Sequence, residues 1–374
     1  MNENGSYKTL LKNDPEYRSY LLGTFSAQLV ALPVESFGVG TERERTTFLV
    51  LSKDQVKKPF WPLIYLAAIR PELLGLTLGH AVLAMLALRP LVEKHFSSVE
   101  DFFRVGALPM FLCLVVTVLA HASACLFNDY QDHLNGTDRK SLSHGSRVIQ
   151  KAWSRAVEVR RWAFVNAFFA LLIGLYLLWG NWWMFVGLAV LTAAAIHFYA
   201  RMTPFWNKWG AGDFWITLLF GPLLFFSVWF SILTQENFLV FSREMLVDGI
   251  LISLPMGLLA SWTLQVRQFQ DIFKREEGSF RSLISRMNFD QAKFFLVAEG
   301  ALFFFAQPVV FYMIWKDPGQ SGVLAVGAAL ACAGLFILKN LASPLSSRML
   351  KLNRLALSVH AGFLLLWIEA LWVR

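Results

Sequence analysis

Residues 107–138 read ALPMFLCLVVTVLAHASACLFNDYQDHLNGTD, an apolar run that passes directly into a polar stretch rich in carboxylates. The apolar part, residues 107–127, has the length of about 20 residues that a helix needs to cross the hydrocarbon core of a bilayer. Asp129 and Asp132 then follow at i and i+3, which lie on one face if the helix continues past the membrane. The stretch therefore predicts a membrane-spanning helix that ends in an acidic face.

The composition extends this prediction to the whole chain. Of its 374 residues, 56% are hydrophobic and 16% are charged, whereas soluble proteins carry about 25% charged residues. This excludes a disordered chain, a collagen-like chain and a disulfide scaffold. The apolar runs predict an all-α polytopic membrane protein with nine spans, at about residues 61–88, 107–127, 162–179, 182–200, 213–233, 246–264, 292–315, 323–338 and 355–373.

The basic residues predict the orientation of these spans. Most of the 34 Lys and Arg residues fall in residues 1–58 and in the connections after even-numbered spans. Such segments stay in the cytoplasm, so we expect a cytoplasmic N-terminal segment of unknown role (1–58) followed by a membrane domain (59–374). The net charge of +8 then serves orientation and attracts anionic lipids or substrates, and it is not a signal for nucleic acid.

The connection after the second span carries the clearest candidate site. Two carboxylates, Asp129 and Asp132, and the amide of Asn128 offer oxygen ligands of the kind that Mg²⁺ prefers. The alternative is a solvated helix end with acidic residues. Downstream, the turn at Gly145-Ser146-Arg147 presents a guanidinium, and a diphosphate needs both a metal and such cationic partners.

The connection after the sixth span contains a second, less regular polar group. It includes Arg267 and Gln268, followed by Asp271 as a plausible metal ligand. Four residues on stands a cation, Arg275. Either Arg275 binds phosphate directly, or Glu276 or Glu277 replaces the missing carboxylate, or the second metal site is absent.

Four motifs in order along the chain resemble one known family. They are Arg70-Pro71, then Asn128-Asp129-Tyr130-x-Asp132-x-x-x-Gly136-Thr137-Asp138, then Gly210-Ala211-Gly212-Asp213 with Phe220-Gly221, and finally Gln268-Phe269-Gln270-Asp271. Over about residues 59–374 their order and spacing resemble the UbiA superfamily of intramembrane prenyltransferases. The resemblance is strongest to the menaquinone-type branch, which prenylates 1,4-dihydroxy-2-naphthoate.

The resemblance implies a fold and an activity. The fold is a bundle of nine transmembrane helices around a central cavity, and the activity is Mg²⁺-dependent transfer of a polyprenyl group from its diphosphate to an aromatic acceptor. It implies catalytic carboxylates Asp129, Asp132 and Asp271, which with Asn128 form the magnesium ligands. The implied substrate-binding residues are Asn128, Arg147, Arg267, Gln268, Arg275, Arg70, Tyr199 and Asp213. The implied location is the bacterial cytoplasmic (inner) membrane.

The second motif departs from the family pattern, which has two Asp four residues apart followed by Gly-Lys-x-Thr. This chain has Arg275 at the second Asp position and Gly278-Ser279-Phe280-Arg281 in place of the Gly-Lys stretch. Two alternatives therefore stay open. One is a family member with another acceptor, such as 4-hydroxybenzoate, homogentisate, haem, a chlorin or a sugar phosphate. The other is a degenerate member or transporter that binds isoprenoid or lipid without catalysis.

Several further residues have two possible roles. Arg70 is a functional candidate as an intramembrane cation, or it snorkels to the surface. Asp213 is a candidate for orienting the acceptor or a basic residue, with a helix N-cap as the alternative. His121 and Cys125 share a helical face with Asn128 and are expected to line a cavity, with a His/Cys/Asp metal site as the alternative.

Two glutamates, Glu299 and Glu369, lie inside late spans, far along the chain from the first motif. We expect them to make packing or assembly contacts.

Overall fold

The structure is a computed structural model that describes residues 5–38, 41–92, 99–136, 146–201, 212–235, 243–269, 283–284, 287–315, 327, 333–334 and 347–372. The chain divides into two compact units. The first consists of residues 1–74 and 119–169, and the second of residues 75–118 and 170–374.

The first unit begins with a small antiparallel sheet. Strands β1 (Ser6–Leu11), β2 (Leu29–Phe37) and β3 (Arg45–Ser52) lie in the order β1-β3-β2, and the short helix α1 (Tyr17–Leu22) connects the first two strands. Alternate residues of β3 are buried, and the fully buried Phe48 packs on Leu10, Tyr17 and Leu21.

The prediction of an all-α chain missed this sheet. Its strands have six to nine residues, far shorter than the apolar runs that identify membrane helices, and β1 pairs with a strand that begins more than 30 residues later. The correction applies to the N-terminal segment, because the rest of the described chain is helical.

The first predicted span, residues 61–88, is not one continuous helix. Helix α2 (Trp61–Ala68) ends before Arg70, and helix α3 (Pro71–Val92) begins directly after it. Proline disfavours the helical conformation of the residue before it, and Arg70 has the left-handed φ of 54°. Arg70 therefore lies in a break between two helices and not within a span.

Helix α4 (Val99–Leu134) continues past the apolar run, as the acidic motif predicts. It is followed by α5 (Ala156–Leu177), a 3₁₀ turn (Trp179–Asn181) and α6 (Trp182–Arg201). The motif residues Asn128, Asp129 and Asp132 are thus held on the last two turns of a long, regular helix.

The second unit contains the later helices. They are α7 (Gly212–Leu218), a π-helical turn (Leu219–Leu223), α8 (Leu224–Gln235), α9 (Arg243–Gln268), α10 (Phe289–Trp315) and α11 (Ser347–Trp372). The π turn contains Gly221, whose backbone is not helical, and Pro222. A Cβ on Gly221 would lie 2.6 Å from the carbonyl oxygen of Ser253 in α9, so the two backbones approach closely here.

Five stretches of the described residues are long and apolar enough to span a membrane: Pro71–Leu88, Glu100–Leu134, Trp179–Phe198, Gly212–Gln235 and Met245–Gln268. Large apolar side chains such as Phe111, Trp183 and Phe294 are exposed on the helices, as expected for surfaces that face lipid. The chain is an integral membrane protein. The predicted spans 162–179, 292–315 and 355–373 coincide with helices, but nine spans remain a prediction, because 323–338 lies almost wholly outside the described residues.

Candidate functional site

The break between α2 and α3 places Arg70 against the acidic motif. A guanidinium nitrogen of Arg70 donates a hydrogen bond to Asp129 Oδ1, and the two side chains form an ion pair. The Arg70 side chain is 13% exposed and that of Asp129 is 3% exposed. Both charges have lost most of their hydration. Such an ion pair is stable only when its geometry is good and further hydrogen bonds satisfy the remaining polar atoms.

Those further hydrogen bonds to Asp129 come from Ser146. Its hydroxyl group and its backbone N–H, the latter at 3.3 Å, both donate to Asp129 Oδ2. Each carboxylate oxygen of Asp129 therefore has a defined partner. The connection after α4 folds back onto the acidic motif at this point.

The other two motif residues contact each other. The amide nitrogen of Asn128 donates a hydrogen bond of 2.8 Å to Asp132 Oδ2, and both residues are buried. The amide oxygen of Asn128 is a ligand of the type that hard cations bind.

The oxygen atoms of Asn128, Asp129 and Asp132 suit a hard divalent cation in chemical type. They lie within two helical turns and are buried. Bulk water would therefore compete little with these oxygen ligands for a bound cation. Among the described residues no group of three or more His, Cys, Asp and Glu side chains could hold a metal. The set fits Mg²⁺ as two carboxylates and an amide, and the predicted third carboxylate, Asp271, lies outside the described residues.

Arg147 follows Ser146 directly and adopts a left-handed backbone conformation with φ of 60°. Its carbonyl accepts a hydrogen bond of 2.9 Å from the backbone N–H of Lys151, and the chain turns there. Non-glycine residues rarely adopt this conformation, which is most common at functional turns. The backbone of Arg147 therefore has a defined turn conformation, one residue after Ser146, which donates hydrogen bonds to Asp129.

His121 and Cys125 lie on α4 before the motif. His121 Nε2 lies 3.1 Å from the carbonyl oxygen of Ile69 and 3.4 Å from Cys125 Sγ. A hydrogen bond to a carbonyl oxygen requires the proton on Nε2, and a protonated ring nitrogen cannot bind a metal. The geometry favours a role for His121 in holding the break before Arg70.

The second unit contains the other described candidates. Arg267 and Gln268 form the last turn of α9, where Arg267 is half-buried and Gln268 is 8% exposed. Tyr199 lies in α6, and its side chain is outside the described part of the chain. The second-motif residues Asp271 and Arg275 are also outside it, so their roles remain predictions.

The position of Asp213 in the structure differs from that of a helix N-cap, which was the alternative predicted from the sequence. Helix α7 begins at Gly212, so Asp213 lies inside the first turn. Its Oδ2 accepts a hydrogen bond of 2.9 Å from the backbone N–H of Leu283. Asp213 therefore connects the start of α7 to the chain that follows the second motif.

Sequence reasoning missed two features of these sites. The role of Ser146 as the second partner of Asp129 could have been suspected from a hydroxyl residue beside Arg147, but the contact joins positions 17 residues apart. Glu299, expected to make packing contacts, lies near Asp213, Gln265 and Ser261. The sequence carries no signal for that second grouping.

Known proteins are similar to this chain in sequence or in fold. The chain is 26% identical over 224 residues to a 1,4-dihydroxy-2-naphthoate octaprenyltransferase from Haemophilus influenzae, a match that covers 57% of this chain and 69% of that protein. Two solved structures of a UbiA homolog from Archaeoglobus fulgidus, one bound to DMAPP and Mg²⁺ and the other to GPP and Mg²⁺, share its fold. Each superposes with a TM-score of 0.51 at 14% identity, covering 83% of this chain and 99% or 100% of the homolog.

The profile of the UbiA prenyltransferase family matches residues 98–357, well over half of the chain and the part that contains both motif connections. This confirms the prediction of a prenyltransferase. The chain belongs to the UbiA prenyltransferase family.

Proposed function

We propose that this protein transfers a polyprenyl group from polyprenyl diphosphate to 1,4-dihydroxy-2-naphthoate, in a reaction that depends on Mg²⁺. The observation that carries the proposal is the buried arrangement of Asp129, which is held by Arg70 and Ser146 on the same helix end as Asn128 and Asp132. A carboxylate fixed on both oxygens keeps its position when charge changes beside it.

The diphosphate is bound at the end of α4. Magnesium held by Asn128, Asp129, Asp132 and Asp271 would neutralise the charge of the diphosphate. Arg147 contributes a guanidinium, which binds phosphate oxygens through paired N–H groups. Arg70 orients Asp129 through the ion pair, and the hydroxyl of Ser146 fixes the second oxygen of that carboxylate.

The reaction breaks the C–O bond between the prenyl group and the diphosphate, and the electron pair leaves with the diphosphate oxygen. The allylic cation is attacked by an electron-rich ring carbon of the acceptor, which forms a new C–C bond. When that carbon carries the carboxylate, its bond to the carboxyl group supplies the electrons that restore aromaticity, and CO₂ is released. A site poor in water protects the cation from capture.

The choice of acceptor is supported by the Haemophilus influenzae relative, whose name specifies 1,4-dihydroxy-2-naphthoate. The choice of a prenyl diphosphate is supported by the Archaeoglobus fulgidus homolog, whose structures contain DMAPP and GPP. The distribution of Lys and Arg supports an orientation in which both motif connections face the cytoplasm, which would be that of a bacterial inner membrane.

The N-terminal segment is proposed to brace the acidic motif. His133 Nε2, one residue after Asp132, lies 2.8 Å from the carbonyl oxygen of Leu21, and Leu134 packs against the sheet core. At the other end of the connection, Arg155 donates hydrogen bonds of 3.0 Å to the carbonyl oxygens of Ser26 and Ala27. The segment thereby holds both ends of the connection that contains Ser146 and Arg147.

A second candidate function is isoprenoid binding without catalysis. The observation in its favour is Arg275, which stands where the family pattern has an aspartate. The intact first motif and its buried contacts favour catalysis.

The test is prenyl transfer by the purified protein in lipid nanodiscs. Labelled polyprenyl diphosphate and Mg²⁺ are supplied with 1,4-dihydroxy-2-naphthoate, 4-hydroxybenzoate or homogentisate, and the product is identified by mass. The proposal predicts a prenylated naphthoquinol product that disappears when Mg²⁺ is chelated. A folded protein that binds the diphosphate and prenylates none of the acceptors would support the second candidate and exclude the first.

A further inference from the structure

A group of polar side chains, three of them buried and two half-buried, lies in the second unit, where α7, α9 and α10 pack together. We call Asp213, Ser261, Gln265, Gln268 and Glu299 the polar cluster. Ser261, Gln265 and Gln268 lie four and three residues apart near the end of α9, on one helical face, and are 1%, 1% and 8% exposed. None of the mechanistic steps above uses Ser261, Gln265 or Glu299.

The cluster is rigidly assembled. Gln265 donates a hydrogen bond of 3.1 Å from Nε2 to Ser261 Oγ. The carboxylate of Glu299 interacts with both of these side chains and lies within electrostatic range of Asp213. One turn before Glu299, the carbonyl of Leu296 accepts a hydrogen bond of 3.2 Å from the indole of Trp262, which fixes α10 against α9.

Three side-chain oxygen atoms of the cluster have no hydrogen-bond partner among the described residues. They are Gln265 Oε1, Gln268 Oε1 and Glu299 Oε2. A buried acceptor without a partner costs free energy, so such atoms are uncommon and indicate a missing partner. Three of them in one cluster form a group of oxygen atoms that fits a ligand with hydrogen-bond donors.

The chemistry of the cluster fits a hydroxyl group. Two of its three unpartnered oxygen atoms are neutral amide oxygens, which accept hydrogen bonds from neutral donors, and Asp213 Oδ2 already accepts one from the backbone N–H of Leu283. A phenolic hydroxyl group both donates and accepts hydrogen bonds, so it can pair with an amide oxygen and with a carboxyl group. A dihydroxy aromatic ring supplies two such donors.

We infer that the polar cluster binds the phenolic hydroxyl groups of the aromatic acceptor, with Glu299, Gln265 and Gln268 accepting their hydrogen bonds. This inference rests on the proposed function and adds to it the residues that select the acceptor. A site built to hydrogen-bond a substrate hydroxyl discriminates strongly against an analogue that lacks it, because its own buried groups are then left unpaired.

The first test is binding in the absence of prenyl diphosphate. The quenching of tryptophan fluorescence is titrated with 1,4-dihydroxy-2-naphthoate and with 2-naphthoate, which lacks both hydroxyl groups. The wild type is expected to prefer the dihydroxy compound, and Gln265→Leu and Glu299→Gln are each expected to weaken its binding by about 10-fold, the effect of losing one hydrogen bond. Binding of 2-naphthoate is expected to change little.

The second test is steady-state kinetics of the same variants. The KM for the acceptor is expected to rise while the KM for prenyl diphosphate and the Mg²⁺ requirement stay constant. Glu369→Gln is the matched control, because it makes the same change on the exposed Glu369 of α11 and should leave both constants unchanged.

The outcomes separate the inference from the proposed function. A wild type that transfers no prenyl group contradicts the proposed function, whereas an active wild type whose cluster variants keep full affinity for 1,4-dihydroxy-2-naphthoate overturns the inference alone. A shifted Mg²⁺ requirement in Glu299→Gln also overturns it, because the cluster would then be a metal site. Gln268→Met provides a third variant if either of the others does not fold.

Discussion

Arg70 and Asp129, which are 59 residues apart in the chain, form a buried ion pair. Arg70 lies at the break between α2 and α3, in a left-handed backbone conformation, and Asp129 lies near the end of α4. Within the first unit this contact connects the arginine of one family-like motif to the aspartate of another. The pair explains why a charged residue interrupts the first apolar run.

Replacing Arg70 should reveal the energetic role of the pair. Arg70→Met leaves the buried Asp129 carboxylate without its cation, which typically costs about 3–5 kcal/mol. We expect a clear loss of thermal stability and of prenyl transfer. Arg104→Met is the control, because Arg104 pairs with Asp101 while 77% exposed, and such pairs contribute about 0–1 kcal/mol. Equal melting temperatures for the two variants would contradict the assignment.

Ser146→Ala tests the second anchor of Asp129. It removes the hydroxyl hydrogen bond and keeps the backbone one, and hydrogen bonds to charged groups contribute about 1.5–3 kcal/mol. We expect a kcat lower by about tenfold or more, with little change in the KM for the acceptor. Ser358→Ala removes an exposed hydroxyl group, whose hydrogen bond among the described residues is to the helical carbonyl oxygen of Arg354, and should leave kcat unchanged. A wild-type kcat in Ser146→Ala would show that the backbone N–H alone suffices.

The bracing role of the N-terminal segment predicts a change in its exposure to protease. Arg155→Met removes two hydrogen bonds to the carbonyl oxygens of Ser26 and Ala27. Cleavage by proteinase K near these residues, followed by mass spectrometry, should therefore become faster. Arg161→Met, which changes an exposed arginine of the following helix α5, should not alter the cleavage rate. Identical rates in both variants would mean that Arg155 does not hold the segment.

The close approach of α9 to the π turn predicts that Gly257 does not tolerate a side chain. A Cβ on Gly257 would overlap the carbonyl oxygen of Thr217 and lie 3.1 Å from the Cα of Gly221. Because only backbone atoms stand there, Gly257→Ala should cost at least about 1–3 kcal/mol. Gly187→Ala meets no atom within 4 Å and should be neutral or slightly stabilising. A Gly257→Ala protein as stable as the wild type would contradict the packing described.

The sequence predicted those parts of the fold that depend on local pattern. The apolar run before Asn128 identified α4, and the spacing of Asp129 and Asp132 predicted a shared face because helical periodicity is local. Pro71 is a local signal for the helix break at Arg70. The ion-pair partner of Arg70, Asp129, could be identified only from the three-dimensional structure. The pairing of β1 with β3 likewise depends on residues far apart in the chain.

The candidate site divides in the same way. Asn128, Asp129 and Asp132 were recognisable from residue type and spacing, whereas Ser146 and the polar cluster around Glu299 arise from tertiary contacts. No periodicity links Glu299 to Gln265 or Asp213, because the three residues come from three different helices. Asp271 and Arg275 lie outside the described residues, so their roles remain those predicted from the sequence.

We propose that the acidic end of α4 drives departure of the diphosphate. This is tested by measuring CO₂ release from 1,4-dihydroxy-2-naphthoate that is labelled in its carboxyl group. Wild type and Asp132→Asn are compared with polyprenyl diphosphate and Mg²⁺, after both are shown to be folded. We expect one CO₂ per prenylated product in the wild type and a decrease of about 10²-fold or more in Asp132→Asn. Wild-type rates in Asp132→Asn, or no CO₂ release from the wild type, would contradict it.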